Sequence, residues 1–515
     1  MYLRQFILVI LVFCAVVACA GLPALNDRPP SYAYSVEETR NTALGELVAP
    51  LTAAYPDKSG IVTLAEAKDA FAARLMLASA AEISLDVQYY IWRNDKTGLL
   101  LMQSLYDAAQ RGVRVRLLMD DLNTAPIEDK LIALNQHDNI QVRLFNPFVV
   151  RGPRTFGFVT DFNRANRRMH NKSFTADNQA TIIGGRNVGD DYFSGADGVL
   201  FADLDAIAIG EVVNDVSVDF DKFWNSESSF PMEGVTRSLN ERDKQVLIDT
   251  IFEDHEASTL FLKSVHDREL VRQMLQGNGP IFWAKTRMVS DDPAKGLGKA
   301  EPDQLITHAL QEIIGEPQES IFLVSPYFVP TKAGVRSLES MAAAGVEIHI
   351  LTNSFEATDV AIVHSGYAKW RKRLLQAGIR LYEMRPSVVT PPDEVDADQL
   401  PRFASAATSL HAKTFAVDGE RVFIGSFNFD PRSARLNTEL GFIIESAELA
   451  AQTEEVFARE VPFSAYELRL APSGRMYWLE REPGYLQRLD TDPGTSWWQR
   501  GLITFFSWLP IDWLL

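Results

Sequence analysis

"MHNKSFTADNQATIIGGRN" (Met169–Asn187) and "LHAKTFAVDGERVFIGSFN" (Leu410–Asn428) spell one pattern twice, H-x-K-x-x-x-x-D followed by glycine and asparagine. β-Branched and aromatic residues alternate through each copy, and Asp418-Gly419 is a hairpin turn signal. Residues i and i+2 share one face of a strand, so His170 points with Lys172 and His411 with Lys413. A returning strand brings Asn187 beside His170 and Asn428 beside His411. Imidazole, ammonium and carboxamide converging on one spot suit a phosphate. Lysine supplies charge, asparagine supplies donors, and histidine attacks phosphorus or moves a proton. One copy is half of such a site. Two facing copies set a histidine on each side of phosphorus, as in-line displacement through a phosphohistidine requires. The lysines then neutralise the transition state, and the scheme calls for no metal or other cofactor.

The surrounding chain repeats with the motif. "ISLDVQYYIW" (Ile83–Trp92) reads as a strand, "TGLLLMQSLYDAAQRG" as a helix stopped by glycine, and "VRVRLLMDD" (Val113–Asp121) as the next strand. In the second half "SIFLVSPYFVP" (Ser320–Pro330), "GVRSLESMAAAG" and "VEIHILTNS" take the same parts. "IQVRLFNPF" and "IRLYEMRP" then lead towards the motifs. Two β-α-β-α layouts closing on one motif predict a duplicated α/β protein. Its domains are expected at residues 60–289 and 304–465, joined by a linker at 290–303. Residues 20–59 read as a tether, and "SVVTPPDEVDADQLP" (Ser387–Pro401) as a long loop beside the second motif.

A net charge of −18 over 515 residues argues against general nucleic-acid binding, which needs many cationic contacts to phosphate. The only cysteines, Cys14 and Cys19, fall within the first twenty residues, which excludes a disulfide framework in the body of the protein. The apolar run Phe6–Ala20 suits a signal-peptide core over residues 1–19, and Val16-Val17-Ala18-Cys19 resembles the bacterial lipobox. Lipidation at Cys19, or an uncleaved anchor, places the body on a membrane facing the periplasm. The C-terminal segment 466–515 ends in "SWWQRGLITFFSWLPIDWLL", whose tryptophans favour a membrane interface.

The doubled motif resembles the signature of the phospholipase D superfamily, and the likeness covers both halves. "GSFNFDPRSARLNTELGF" (Gly425–Phe442), "GGRNVGDDYF" (Gly184–Phe193) and the closing "LPIDWLL" look like bacterial cardiolipin synthases of the C type. The resemblance implies two α-β-α sandwich domains related by a pseudo-two-fold axis, with the site at their interface. It also implies His170 as nucleophile, His411 as acid and base, and Lys172, Lys413, Asn187 and Asn428 on the phosphate oxygens. A carboxylate supports each imidazole and fixes its tautomer. Glu439 fits one such place, and Asp205 is expected as its counterpart, with Asp203 as rival. Asp177 and Asp418 begin turns and are read as structural.

Five arginines between Arg151 and His170 suggest a basic mouth for anionic headgroups, with Arg167 and Arg168 abutting the motif. His364 and Tyr367, on an expected helix, are weaker substrate-contact candidates. The implied activity is phosphatidyl transfer between phospholipids at a membrane surface, forming cardiolipin. Phosphatidylethanolamine or phosphatidylglycerol serves as donor and phosphatidylglycerol as acceptor, with any accessory protein unidentified. The alternatives are a phospholipase D releasing phosphatidic acid, a nucleic-acid phosphodiesterase, and a lipid-binding envelope protein without catalysis.

Overall fold

The computed structural model describes residues 21–508, apart from 26–27, 153, 155–156, 196–199, 252–255, 267–272, 274–279, 359, 387–408 and 483. The first lobe carries β1 (Ser59–Leu64), β2 (Ser84–Tyr89), β3 (Arg114–Asp120), β4 (Ile140–Phe145), β5 (Ser173–Ala176), β6 (Ala180–Gly184), β7 (Phe201–Ala202), β8 (Asp205–Gly210) and β9 (Ser229–Pro231). β10 (Phe282–Ser290) leads to β11 (Ser320–Val324), β12 (Glu347–Asn353), β13 (Arg380–Met384), β14 (Ser409–Leu410), β15 (Thr414–Val417), β16 (Arg421–Gly425) and β17 (Leu440–Glu445). β18 (Ala465–Leu470), β19 (Met476–Glu482) and β20 (Tyr485–Leu489) follow.

β2, β3 and β4 lie parallel, and β5, β6, β8 and β1 extend from β2 antiparallel. β11, β12 and β13 repeat the parallel part, and β15, β16, β17 and β10 the antiparallel part. The two arms meet where β1 pairs with β10, Ser59 opposite Ala284, so that eighteen strands of the described residues form one continuous sheet. Strand order is the same on either side of that join, which makes the lobes a pseudo-two-fold pair.

Local chemistry repeats as well. The helix Lys96–Gln110 is capped by Asp95, and the helix Lys332–Ala343 by Thr331. Each is followed by a left-handed glycine, Gly112 at φ 96° and Gly345 at φ 101°, where any other residue would be strained. Each lobe has its own core, one around Phe71, Leu101 and Val115, the other around Leu323, Val335 and Ile350. A third apolar cluster belongs to both lobes, joining Ile61 and Val216 to Ile424 and Phe442.

Three expected boundaries fall differently. Within the expected tether 20–59, the residues from Arg28 onward pack on the first lobe. The Arg28 guanidinium donates to the carbonyls of Asn225 and Ser226, and the Ala33 N–H donates to Asp221. Arg116, fully buried, takes the Ser31 carbonyl as an acceptor, which ties this segment to the first lobe. The stretch 290–303 is not a spacer either, because Asp291 and Lys295 are buried in it as an ion pair of 2.8 Å. The second lobe also runs past residue 465, since β18 pairs with β13 and carries β19 and β20. Cys14, Cys19, the loop from Ser387 to Pro401 and residues 509–515 lie outside the described residues. Among those described, no helix is long and apolar enough to cross a membrane.

Candidate active site

The two motifs fold as the hairpins β5–β6 and β15–β16, Ala176 opposite Ala180 and Val417 opposite Arg421. Asp177 and Asp418 open the turns at φ 51° and 53°. The Asp177 carboxylate accepts from the N–H groups of Glu82, Ile83 and Ser84 at 3.0, 2.8 and 2.8 Å. Asp418 receives those of Gln318, Glu319 and Ser320 in the same way. Each aspartate thus fastens its hairpin to the start of the neighbouring parallel strand, at the end remote from the histidine.

At the other end each histidine is held by the opposite lobe. The His170 N–H donates to the Thr438 carbonyl at 2.9 Å. β14 pairs in parallel with β7, and the His411 N–H donates to the Ala202 carbonyl at 2.7 Å. In each case the next residue of the crossing segment is an acid. His170 Nδ1 lies 2.8 Å from Glu439 Oε2, and His411 Nδ1 lies 2.5 Å from Asp203 Oδ2. Each imidazole therefore takes its carboxylate from the other half of the chain.

Asp205 does not fill the place expected of it. Strand register explains why: Gly184 faces Asp205 just as Gly425 faces Gly441, so the partner of Glu439 is the residue two earlier, Asp203. Asp205 is instead buried against Arg74 at 2.8 Å and the Arg186 N–H at 3.2 Å. The signal in the sequence was the acid-Leu pair, Asp203-Leu204 matching Glu439-Leu440. Gly185 leaves room for this approach, since a Cβ there would lie 2.1 Å from Asp203 Oδ1. The matching position in the second copy is Ser426, whose hydroxyl donates to Glu439 at 2.6 Å.

Lys172 Nζ donates to the His170 carbonyl at 2.6 Å, and Lys413 Nζ to that of His411. Asn187 accepts from the Ile91 N–H at 3.1 Å and donates to the Tyr192 hydroxyl at 3.0 Å. Asn428 is buried with its Oδ1 unpaired. Aromatic rings that motif spacing does not reveal wall the histidines. Tyr90 stands edge-on to His170 at 5.1 Å, and Tyr192 and Phe201 lie 5.3 and 5.1 Å from His411. The imidazoles are nearly covered, with 6% of His170 and 5% of His411 exposed.

Burial, reinforced by Lys172 and Lys413, holds His170 well below the usual histidine range. Burial and Lys413 also lower His411, but Asp203 pulls the other way. Burial opposes charge on Asp203, yet His411 and Lys413 keep it below the ordinary carboxylate range. Burial pushes Glu439 up, against Lys172 and Ser426. The half-sites are alike in geometry, but their carboxylates are pushed in opposite directions.

The expected basic mouth is largely spent within the protein. Arg168 is fully buried, paired with Asp120 at 3.3 Å and donating to the Asn146 carbonyl at 2.6 Å. Arg151 and Arg154 are drawn onto Asp121 and Glu128. Arg167 bridges the lobes by donating to the carbonyls of Lys295 and Arg435. Carboxylates and carbonyls distant in sequence take up these charges. His364 and Tyr367 are likewise buried. His364 Nε2 lies 2.5 Å from Arg371, whose guanidinium sits over the Tyr367 ring and pairs with Asp492 at 2.6 Å. Both belong to that internal cluster, with the Tyr367 hydroxyl buried and unpaired among the described residues.

The family pattern described as "Cardiolipin synthase, PLD-like domain" matches residues 75–224 and 310–461, one stretch in each lobe. Cardiolipin synthase C of Escherichia coli is 46% identical over 473 residues, covering 92% of this chain and 99% of its own. The chain belongs to the phospholipase D-like cardiolipin synthase family. Another relative of this family member, an uncharacterized protein of Helicobacter pylori, is 30% identical over 502 residues, covering 96% of each chain. Among solved structures, phosphatidylserine synthase from Haemophilus influenzae superposes with a TM-score of 0.57 at 13% identity, covering 88% of this chain and 95% of that one. At that identity the likeness speaks for the fold.

Proposed function

We propose that this protein is a phosphatidyltransferase forming cardiolipin through a covalent phosphohistidine. One observation carries the reading: two histidines, each backed by a carboxylate from the opposite lobe and each accompanied by a buried lysine. His170 is the nucleophile. Burial keeps it neutral, and its Nδ1–H, donating to Glu439, leaves Nε2 with a free lone pair. Nε2 attacks phosphorus as the bond to the headgroup oxygen breaks. His411, whose imidazolium the Asp203 anion supports, gives that oxygen its proton. Neutral His411 then takes the proton from a phosphatidylglycerol hydroxyl, whose oxygen attacks phosphorus and expels His170. Lys172, Lys413, Asn187 and Asn428 hold the phosphate oxygens. One phosphodiester replaces another, so the exchange needs no nucleotide.

The donor is phosphatidylethanolamine or phosphatidylglycerol, and the protein works as a bacterial membrane-associated enzyme. Lipidation at Cys19 and a periplasmic orientation belong to the same proposal. The helix Trp497–Trp508 supports membrane contact, because Trp498, Leu502 and Phe505 recur at helical spacing and stay exposed. The test is lipid product analysis after incubation with phosphatidylglycerol vesicles, with and without phosphatidylethanolamine, alongside His170→Ala. Cardiolipin that rises with phosphatidylethanolamine and disappears in the variant supports transfer and its donor together. Phosphatidic acid alone makes the protein a hydrolase, and product from His170→Ala removes the nucleophile assignment.

A further inference from the structure

The half-sites differ in what stands behind the carboxylate. Ser290, the last residue of β10, faces Leu440 of β17, which brings Asp291 beside Glu439. The Asp291 N–H donates to the Glu439 carbonyl at 3.0 Å, and its Oδ2 accepts the Glu439 N–H at 2.9 Å. The same Oδ2 accepts from Lys295 Nζ at 2.8 Å, and Oδ1 accepts the Ile306 N–H at 2.9 Å. Lys295 donates as well to the Ser433 carbonyl at 2.8 Å, within the short helix Pro431–Arg435. Asp291, Lys295 and Glu439 are all buried. A run of hydrogen bonds therefore leads from Lys295 through Asp291 and the Glu439 backbone to a side chain that ends on His170 Nδ1.

Among the described residues the first lobe lacks this brace. β1 pairs with β8 as β10 pairs with β17, Leu64 facing Asp205 where Val289 faces Gly441. Two residues further on, the match of Asp291 is Glu66, which precedes the helix Ala67–Ala80 and makes no capping hydrogen bond with its side chain. Four residues beyond Glu66, where the second lobe has Lys295, stands Ala70. The charges differ in the same sense. His411 and Lys413 hold Asp203 below the ordinary carboxylate range without further help. Burial pushes Glu439 up, and Lys172 and Lys295 are the cations that pull it back. Burial also pushes Asp291 up, to about 6, against Lys295.

We infer that Asp291 and Lys295 are positioning residues for the nucleophile, holding Glu439 against His170, an inference that rests on the proposed phosphohistidine. Two bonds on the Glu439 backbone fix where its side chain starts, and so fix the tautomer that leaves His170 Nε2 free to attack. The Lys295 ammonium adds a charge that favours the Glu439 anion. The stretch expected as a linker is thus a supporting layer of one half-site only.

Lys295→Met, the double variant Asp291→Asn/Lys295→Met, and Glu66→Gln are compared with the unaltered full-length protein. Consumption of lipid from mixed phosphatidylglycerol and phosphatidylethanolamine vesicles is followed across pH, with a melting curve for each protein. The charged and titratable groups facing Glu439 are His170 and Lys172 from the first motif, Asp291, Lys295 and Asp430. His170 and Glu439 share a hydrogen bond, so the acid limb of the kcat/KM profile belongs to the pair. Removing the Lys295 cation raises the proton affinity of that pair. The limb should move to higher pH by about one unit in both Lys295 variants, with turnover about tenfold lower on the acid side and recovering as pH rises. Glu66→Gln should keep the limb of the unaltered protein. The double variant leaves no lone charge buried, so it decides the matter if Lys295→Met unfolds. A rate lowered evenly at every pH, or an equal movement of the limb in Glu66→Gln, overturns the inference. The transferase reading is judged on the unaltered protein: phosphatidic acid in place of cardiolipin overturns transfer, and the same profile still decides the brace. No consumption of lipid by the unaltered protein overturns both.

Discussion

Asp203 and Asp205 are two residues apart, both buried, and differ in the cation each meets. Asp203→Asn keeps the shape but removes the anion that favours the His411 imidazolium. Turnover should fall about a hundredfold or more, in line with the worth of a positioned acid. Because that anion raises the His411 pKa, its loss lowers it, and the alkaline limb of the kcat/KM profile should move to lower pH. An unmoved limb would show that Asp203 does not govern His411. Asp205→Asn breaks a buried pair with Arg74 and should cost about 3–5 kcal/mol of stability, read as a lower melting temperature. Asp219 is a different case. Burial pushes its carboxyl up to about 7, and its Oδ2 has no partner. The folded protein holds a proton that an unfolded carboxyl releases near pH ~4. The stabilisation is therefore complete below that value and lost as pH rises through about 7. Asp219→Asn should stabilise the protein by about 2–4 kcal/mol at about pH 8, the gain shrinking towards about pH 5. Melting curves at both pH values decide it, and an equal gain at each would remove the titration from the account.

The hairpins and the C-terminal helix show what single elements contribute. Each hairpin is short, and its aspartate anchors the turn to three N–H groups of a neighbouring strand, which sets the register of the histidine end. The turns were legible in the sequence because their chemistry is local. The helix Trp497–Trp508 was legible only as an aromatic run. The fold decides which side faces out, burying Ile503 while Trp498, Leu502 and Phe505 stay exposed. Replacing these three with serine should weaken flotation with phosphatidylglycerol vesicles by about a hundredfold, given the worth of burying large apolar side chains. Turnover of detergent-dispersed lipid should be retained. Flotation equal to that of the unaltered protein would leave this face without a membrane role.

At the scale of the molecule, neither lobe holds a complete half-site. The sheet is continuous through β1 and β10, a shared core joins Ile61 to Phe442, and the two carboxylates cross between the lobes. Both histidines of a site therefore come from one chain, each already held by the other lobe of that chain. A mixture of His170→Ala and His411→Ala proteins should stay inactive at any ratio. Recovered activity in a product assay would require lobes exchanged between chains.

The sequence by itself determined the duplication, the two hairpins, and the pairing of His170 with Lys172 and of His411 with Lys413. Strand period and turn chemistry act over a few residues, so they can be read in one stretch of chain. Only the tertiary structure decided which carboxylate meets which histidine, since His170 and Glu439 are 269 positions apart and Asp203 and His411 are 208. It also decided that Arg168 belongs to the interior and that residues 28–53 dock on the first lobe. A buried charge settles on the partner the fold brings to it, and no local pattern records which partner that is.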